Sequence, residues 1–218
     1  LRETQTATLI DDVARFRSEI GVLVMGEFAQ KHINKLLSEG NLAFHPLISL
    51  SPKAFMSPGH PLAGAEQVTL DELKRYPCIV YDQNDDMALH FSEESVIPDF
   101  RPDKILYVSD LLTSIYLMDR CDAFNIGTGL TALLPRGRLA LAAVPVQGQP
   151  PITIGWIALK NGDLSPPGEK FISMLEAYMA KEKKAEEKRT KEKNVKKKNA
   201  KEKNAAFDDS LSSGTLTP

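Results

Sequence analysis

Four short groups of residues have the composition of a site that grips a small polar or anionic molecule. Thr4, Gln5 and Thr6 stand ahead of an apolar-periodic segment, where hydroxyls and the free backbone N–H groups of a helix start can point at a ligand. Plain helix capping would use the same residues. Ser51 sits in a strand-like stretch and can face either a cleft or solvent. Asp82, Gln83 and Asn84 follow the apolar run CIVY at what would be the carboxyl end of a strand, although turn formation accounts for Asp and Asn there as well as binding does. Asn125, Gly127, Thr128 and Gly129 form the densest group. Glycines let a backbone approach a ligand closely and Thr128 adds a hydroxyl, while a turn needing positive φ is the competing reading.

Other chemistries lack their residues. His32, His45, His60 and His90 contain no i, i+4 pair of the kind that holds zinc on a helix, and His60 reads as part of a GHPL turn. Cys78 and Cys121 alone make neither a disulfide framework nor a metal site. No nucleophile elbow and no phosphate-cradling GxxxxGK[ST] loop is present, so no catalytic residue, metal or cofactor is expected. No apolar stretch reaches the roughly 18 residues needed to span a bilayer. A soluble cytoplasmic setting without membrane contact is expected.

These groups must be held by alternating strands and helices. Leu9, Ile10, Val13 and Phe16 recur as an amphipathic stripe, and IGVLVM is a short apolar run suited to a strand buried on both faces. A helix over Ala29–Ser38 is stopped by Gly40. Thr69 and Glu72 form a capping box, Asp110 caps a helix through Leu111, Ile115 and Met118, and Ser165 with Pro166 opens a last helix. LTALLP reads as a short helical turn. Strand-like crossings near 46–56 and 142–158 link two such α/β groups. The fold class is therefore α/β with mostly parallel sheets, two lobes and a cleft between them. Ligands in open α/β sheets bind outside the carboxyl ends of the strands. Trp156, in the second crossing, packs at the hinge or stacks on a ligand, and packing is favoured.

At this point a resemblance enters. Residues 47–83, LISLSPKAFMSPGHPLAGAEQVTLDELKRYPCIVYDQ, resemble the centre of the effector domain of LysR-type transcriptional regulators. TLIDDVARFRSEIGVLV resembles an upstream segment of that family, with Glu19 where Asp is commoner. VSDLLTSIYLMDRCDAFNIGTGLTALLP and GWIALKNGDLSPPGEKFISML resemble its second-lobe helix and glycine turn and its closing strand and helix. The resemblance implies two Rossmann-like lobes similar to type 2 periplasmic binding proteins. It divides the chain into residues 1–45 and 156–180 (lobe one), 46–155 (hinge strands and lobe two) and a tail over 181–218. It implies an effector site drawn from Thr4, Thr6, Ser51, Asp82, Gln83, Asn125, Gly127, Thr128 and Gly129. It also implies a small polar or anionic effector, a homodimer or tetramer built through effector domains, and DNA contact only through a helix-turn-helix that is not found in these residues. The first βα unit of lobe one is expected to be missing. A type 2 solute-binding protein acting in transport is the alternative.

Charge divides the chain sharply. Residues 181–204 carry 12 Lys and Arg against 5 Glu, while residues 1–180 carry 15 basic against 22 acidic residues. An acidic body is a poor ligand for phosphate backbones. The basic surplus lies wholly in the tail, which reads as a solvated segment or as a basic arm for nucleic acid.

Overall fold

In the three-stranded sheet the middle strand comes from the far end of the chain. A computed structural model describes residues 1–81, 97, 100–128, 141–185 and 187–188. The chain divides into two compact units, Leu1–Gly168 and Glu169–Pro218. The first carries both sheets.

The three-stranded sheet contains β1 (Gly21–Met25), β2 (Leu42–Leu50) and β8 (Ile152–Leu159) in the order β1-β8-β2. Both neighbours run antiparallel to β8, pairing Leu23 and Pro46 with Gly155. β1 and β2 therefore point the same way and are joined by helix α2 (Glu27–Glu39), as a crossover unit should be. The expected parallel, doubly buried β1 is not found. β8 threads between the two halves of the unit in the opposite sense, and Val22 keeps one face of β1 exposed. Helices α1 (Thr6–Ala14) and α2 bury Ile10, Val13, Ile33 and Leu37 against Leu23, Leu42 and Ile157.

Helix α1 stops short of Phe16. Arg17 and Ser18 both donate their backbone N–H to the carbonyl of Asp12, at 2.8 and 3.0 Å, and the chain turns through Phe16 at φ 59°. Phe16 is consequently 78% exposed instead of extending the apolar stripe. The buried Asp12 carboxylate anchors this turn by accepting from Arg2 at 3.0 Å and Arg17 at 2.7 Å. Helix α2 ends at Gly40 as expected, but the left-handed residue is Asn41, at φ 54°. Asn tolerates that region better than most residues.

The second sheet contains β3 (Lys53–Met56), β4 (Cys78–Tyr81), β5 (Ile105–Val108), β6 (Phe124–Gly127) and β7 (Ala142–Pro145) in the order β5-β4-β6-β3-β7. β4 pairs in parallel with β5 and β6, whereas β3 is antiparallel to β6 and β7. The sheet is mixed because β3 arrives straight from the first sheet, without a helix to reverse it. One face packs Ala54, Met56, Cys78, Phe124 and Val144 with Leu73 of α3 (Leu70–Leu73). The other packs Phe55, Ile79 and Val108 with Ile115 and Met118 of α4 (Leu111–Arg120). Ile152 and Val24 of the first sheet join the former core.

The chain crosses between sheets at Ser51–Pro52 and again over 146–151. Val146 donates its N–H to the Pro52 carbonyl at 3.0 Å, which ties the crossings together. Residues 166–185 are helical and enter the second unit. The LTALLP turn lies outside the described residues.

Candidate functional site

Both crossings meet the five-stranded sheet at one end. Lys53, at the start of β3, is paired with Gly127 at the end of β6 and with Pro145 at the end of β7. The parallel pairing of Cys78 with Phe124 sets Tyr81, three residues on, level with Gly127. Ser51, Gly127, Thr128 and the end of β4 thus share the carboxyl end of the parallel strands, where open α/β sheets bind ligands. Ser51 is exposed and Thr128 half-buried. Asp82, Gln83 and Asn84 would follow directly but, with His90 and Gly129, lie outside the described residues.

Thr4 and Thr6 belong to the first sheet's layer. Ala14 abuts Gly40 near the start of β2, while Leu9 lies over Gly21 and Ile157, so α1 runs against the direction of β1 and β2. Its N-terminal end is directed toward their carboxyl ends, beyond which Ser51 follows β2. Simple capping does not explain these threonines. Gln5 occupies the N-cap position and makes no side-chain cap hydrogen bond, which leaves the first-turn N–H groups without that partner.

Asn125 has a structural task. Its amide donates to the carbonyl of Ile79 at 3.0 Å, extending the contact of β4 with β6 beyond the single residue pair of their ladder. Gly127 does not need glycine for its backbone. Among the described residues the only glycine with positive φ is Gly148, at 71°, and a Cβ on Gly127 would meet Phe55 at an ordinary 3.5 Å.

A shallow groove of about 470 Å³ adjoins the second crossing, between Thr69, Lys74, Phe100, Gln147, Gly148 and Gln149. Its walls are fixed by backbone bonds: Val68 N–H reaches the Pro145 carbonyl at 2.9 Å, and Gln147 N–H reaches Val68 at 2.8 Å. The capping box closes as expected, with Thr69 N–H on the Glu72 carboxylate at 2.8 Å and Glu72 N–H on the Thr69 hydroxyl at 3.2 Å. Those Thr69 donors hold the Glu72 carboxyl below its usual range. Lys74 pairs with Asp71 at 3.0 Å. Sequence reasoning did not single out this groove, because the capping box at Thr69 and the run from Gln147 lie far apart in the chain.

Trp156 lies flat on His45, its cross-strand partner, with ring centroids 3.9 Å apart. It packs in the sheet, as favoured. His60 is buried in its turn, its Nδ1 accepting the Leu62 N–H at 3.0 Å. Burial pushes its pKa down, against the opposing pull of Asp122. Among the described residues no cluster of His, Cys, Asp and Glu could hold a metal ion, and no helix is long and apolar enough to cross a membrane. The crossing end offers hydroxyls and amides, chemistry suited to holding a polar molecule.

A family model described as the LysR substrate binding domain matches residues 1–180. The chain belongs to this family. Its mixed α/β fold with two sheets matches solved LysR effector domains, which share the type 2 periplasmic-binding-protein-like fold. Against the effector binding domain of QuiR in complex with shikimate the TM-score is 0.57 at 19% identity, covering 82% of this chain and 79% of that one. Against full-length BenM carrying an E226K substitution it is 0.61 at 18% identity, covering 83% and 58%. Against HinK, a LysR family transcriptional regulator from Pseudomonas aeruginosa, it is 0.55 at 15% identity, covering 82% and 58%. The chain therefore spans under two thirds of the full-length regulators and most of the isolated effector domain. No curated protein sequence matches it. Within the LysR family such domains are regulatory, and this chain is one of them.

Proposed function

We propose that this LysR domain senses a small polar or anionic effector at the end of the strands where its crossings converge, and so governs transcription through a DNA-binding head on the same regulator. What carries the reading is the meeting of Ser51, Gly127 and Thr128 at that end, beside crossings tied by the Val146–Pro52 bond. Uncapped N–H groups at the start of α1 add donors suited to a negative charge. The holding of shikimate by the related QuiR domain supports a ligand of this class. Asp82, Gln83 and Gly129 belong to the proposed site by their place in the sequence.

The domain works by binding, not turnover. A ligand preferring one arrangement of the lobes shifts the equilibrium by its differential affinity, and a coupled partner reads the shift. Residues 1–45 with 156–180 and residues 46–155 are the two lobes proposed to move, with 181–218 a basic tail. The protein acts in the cytoplasm as a homodimer or tetramer. Exposed Leu112 and Tyr116 on consecutive turns of α4 offer an apolar surface for a second copy.

Thermal unfolding of the full chain against shikimate, other small carboxylates, phosphate and sulfate tests the site. A true effector raises the melting temperature, by about 2.7 kcal/mol of stabilisation at a hundredfold excess over its dissociation constant. Ser51→Ala with Thr128→Val should abolish the shift while leaving the ligand-free transition in place. A shift that persists unchanged in this double variant places the site elsewhere.

A further inference from the structure

We propose that the groove beside the second crossing is a separate site for a free α-amino acid with an apolar side chain. It stands apart from the effector reading and does not depend on it, since none of Ser51, Gly127 and Thr128 lines the groove. Its volume of about 470 Å³ is in the range of small-molecule sites. Its walls come from distant parts of the chain, with α3 and Lys74 on one side and the turn from Gln147 to Gln149 on the other. Backbone bonds fix their spacing, because Val68 donates its N–H to the Pro145 carbonyl and accepts the Gln147 N–H.

The lining dictates the ligand. Leu70 and Phe100 are half-buried and pack against the core of the five-stranded sheet, so they offer an apolar floor that is already anchored. Asp71 and Lys74 are the charged residues of the lining, and they pair at 3.0 Å with side chains 89% and 41% exposed. So exposed a pair is weakly held and exchanges partners readily. A simple anion taken by Lys74 would leave Asp71 opposing it, and a simple cation on Asp71 would meet Lys74. A zwitterion satisfies both, its carboxylate going to the Lys74 ammonium and its own ammonium to the Asp71 carboxylate. On the other wall Gln149 donates its side-chain amide to the Gln147 carbonyl at 3.3 Å, and Gln147 is exposed. Gly148 turns between them at φ 71°, with nothing within 4 Å of where a Cβ would stand, which leaves the backbone approachable. These amides supply hydrogen bonds to the polar end of an amino acid, and the floor takes its side chain.

Isothermal titration calorimetry of the full chain with L-phenylalanine and L-leucine tests the site. Saturable binding is expected for both, with phenylpropionate and phenethylamine, which each lack one of the two charges, weaker by roughly tenfold or more. Lys74→Gln and Asp71→Asn should each weaken L-phenylalanine binding by a similar factor. Melting curves of both variants should match the parent, as expected of an exposed pair, which separates lost contact from lost fold. Ser51→Ala with Thr128→Val should leave the amino-acid binding unchanged. Absence of saturable binding by both amino acids overturns the proposal, as does equal binding by phenylpropionate or affinity that survives both Lys74→Gln and Asp71→Asn. Loss of binding in the Ser51 and Thr128 double variant overturns it too, and places the amino acid in the effector site instead.

Discussion

The carboxylate of Glu19 accepts both the backbone N–H and the hydroxyl of Ser165, a residue 146 positions later, the hydroxyl at 2.8 Å. Ser165 in turn receives the Gly168 N–H on its hydroxyl at 3.3 Å, so the turn between α1 and β1 clamps the start of the last helix. Ser165→Ala should cost about 1 kcal/mol, the usual worth of an N-cap, and Glu19→Gln, which keeps an acceptor oxygen, should cost less. Urea unfolding of both variants measures this. A Ser165→Ala variant as stable as the parent would remove the clamp from the account.

Gly155 lies at the centre of β8, against the Phe44 ring and 2.6 Å from the His45 carbonyl, measured from where its Cβ would stand. The neighbouring register shift between Pro46 and Ile48 is part of the same tight passage. The carbonyl is backbone and cannot swing aside. Gly155→Ala should therefore destabilise by roughly 1–3 kcal/mol through overpacking. The same substitution at Gly127, which has ordinary room, should be near neutral. A chemical denaturation pair reads the contrast.

His60 gives the fold an acid-side weakness. Its pKa is pushed below the ordinary 6.5 by burial, against the neighbouring Asp122, so the unfolded chain binds the proton more readily. Above 6.5 both states are neutral at this residue and it adds no pH dependence. Stability should fall as pH drops through that value and keep falling until the folded imidazole also protonates. His60→Gln should flatten this part of the profile. An unchanged slope between the parent and His60→Gln would assign the loss to other groups.

Tyr116 is 52% and Leu112 58% exposed on consecutive turns of α4. If this surface pairs copies of the domain, Leu112→Glu with Tyr116→Glu should shift sedimentation from dimer toward monomer without lowering the melting temperature of the monomeric fold. The core of α4 is carried by Ile115 and Met118, which the substitutions leave alone.

Local signals in the sequence translated directly into structure. The Thr69–Glu72 box, the Asp110 cap on the Thr113 N–H and the end of α2 at Gly40 all depend on neighbours within a few residues. Phe16 escaped because the Asp12 carbonyl captures two N–H groups and breaks the helical stripe, a competition that periodicity does not reveal. The direction of β1 escaped for a longer-range reason: its partner is more than a hundred residues away, and an apolar pentapeptide fits either pairing. For the site, Ser51, Gly127 and Thr128 were legible by type, but their meeting is set by the Lys53 register. Asn125 reads as a ligand-facing amide by type, and only the fold shows that its amide also bonds the Ile79 carbonyl between two strands.

In the three-stranded sheet, β1 and β2 each pair only with β8 among the described residues. Every described strand of the five-stranded sheet, by contrast, is complete by Pro145. On the ribosome the second sheet can close while the first still waits for residues 152–159, its apolar strands holding no partner. Synthesis order thus inverts sequence order, and the lobe that begins the chain is the last to acquire its hydrogen bonds.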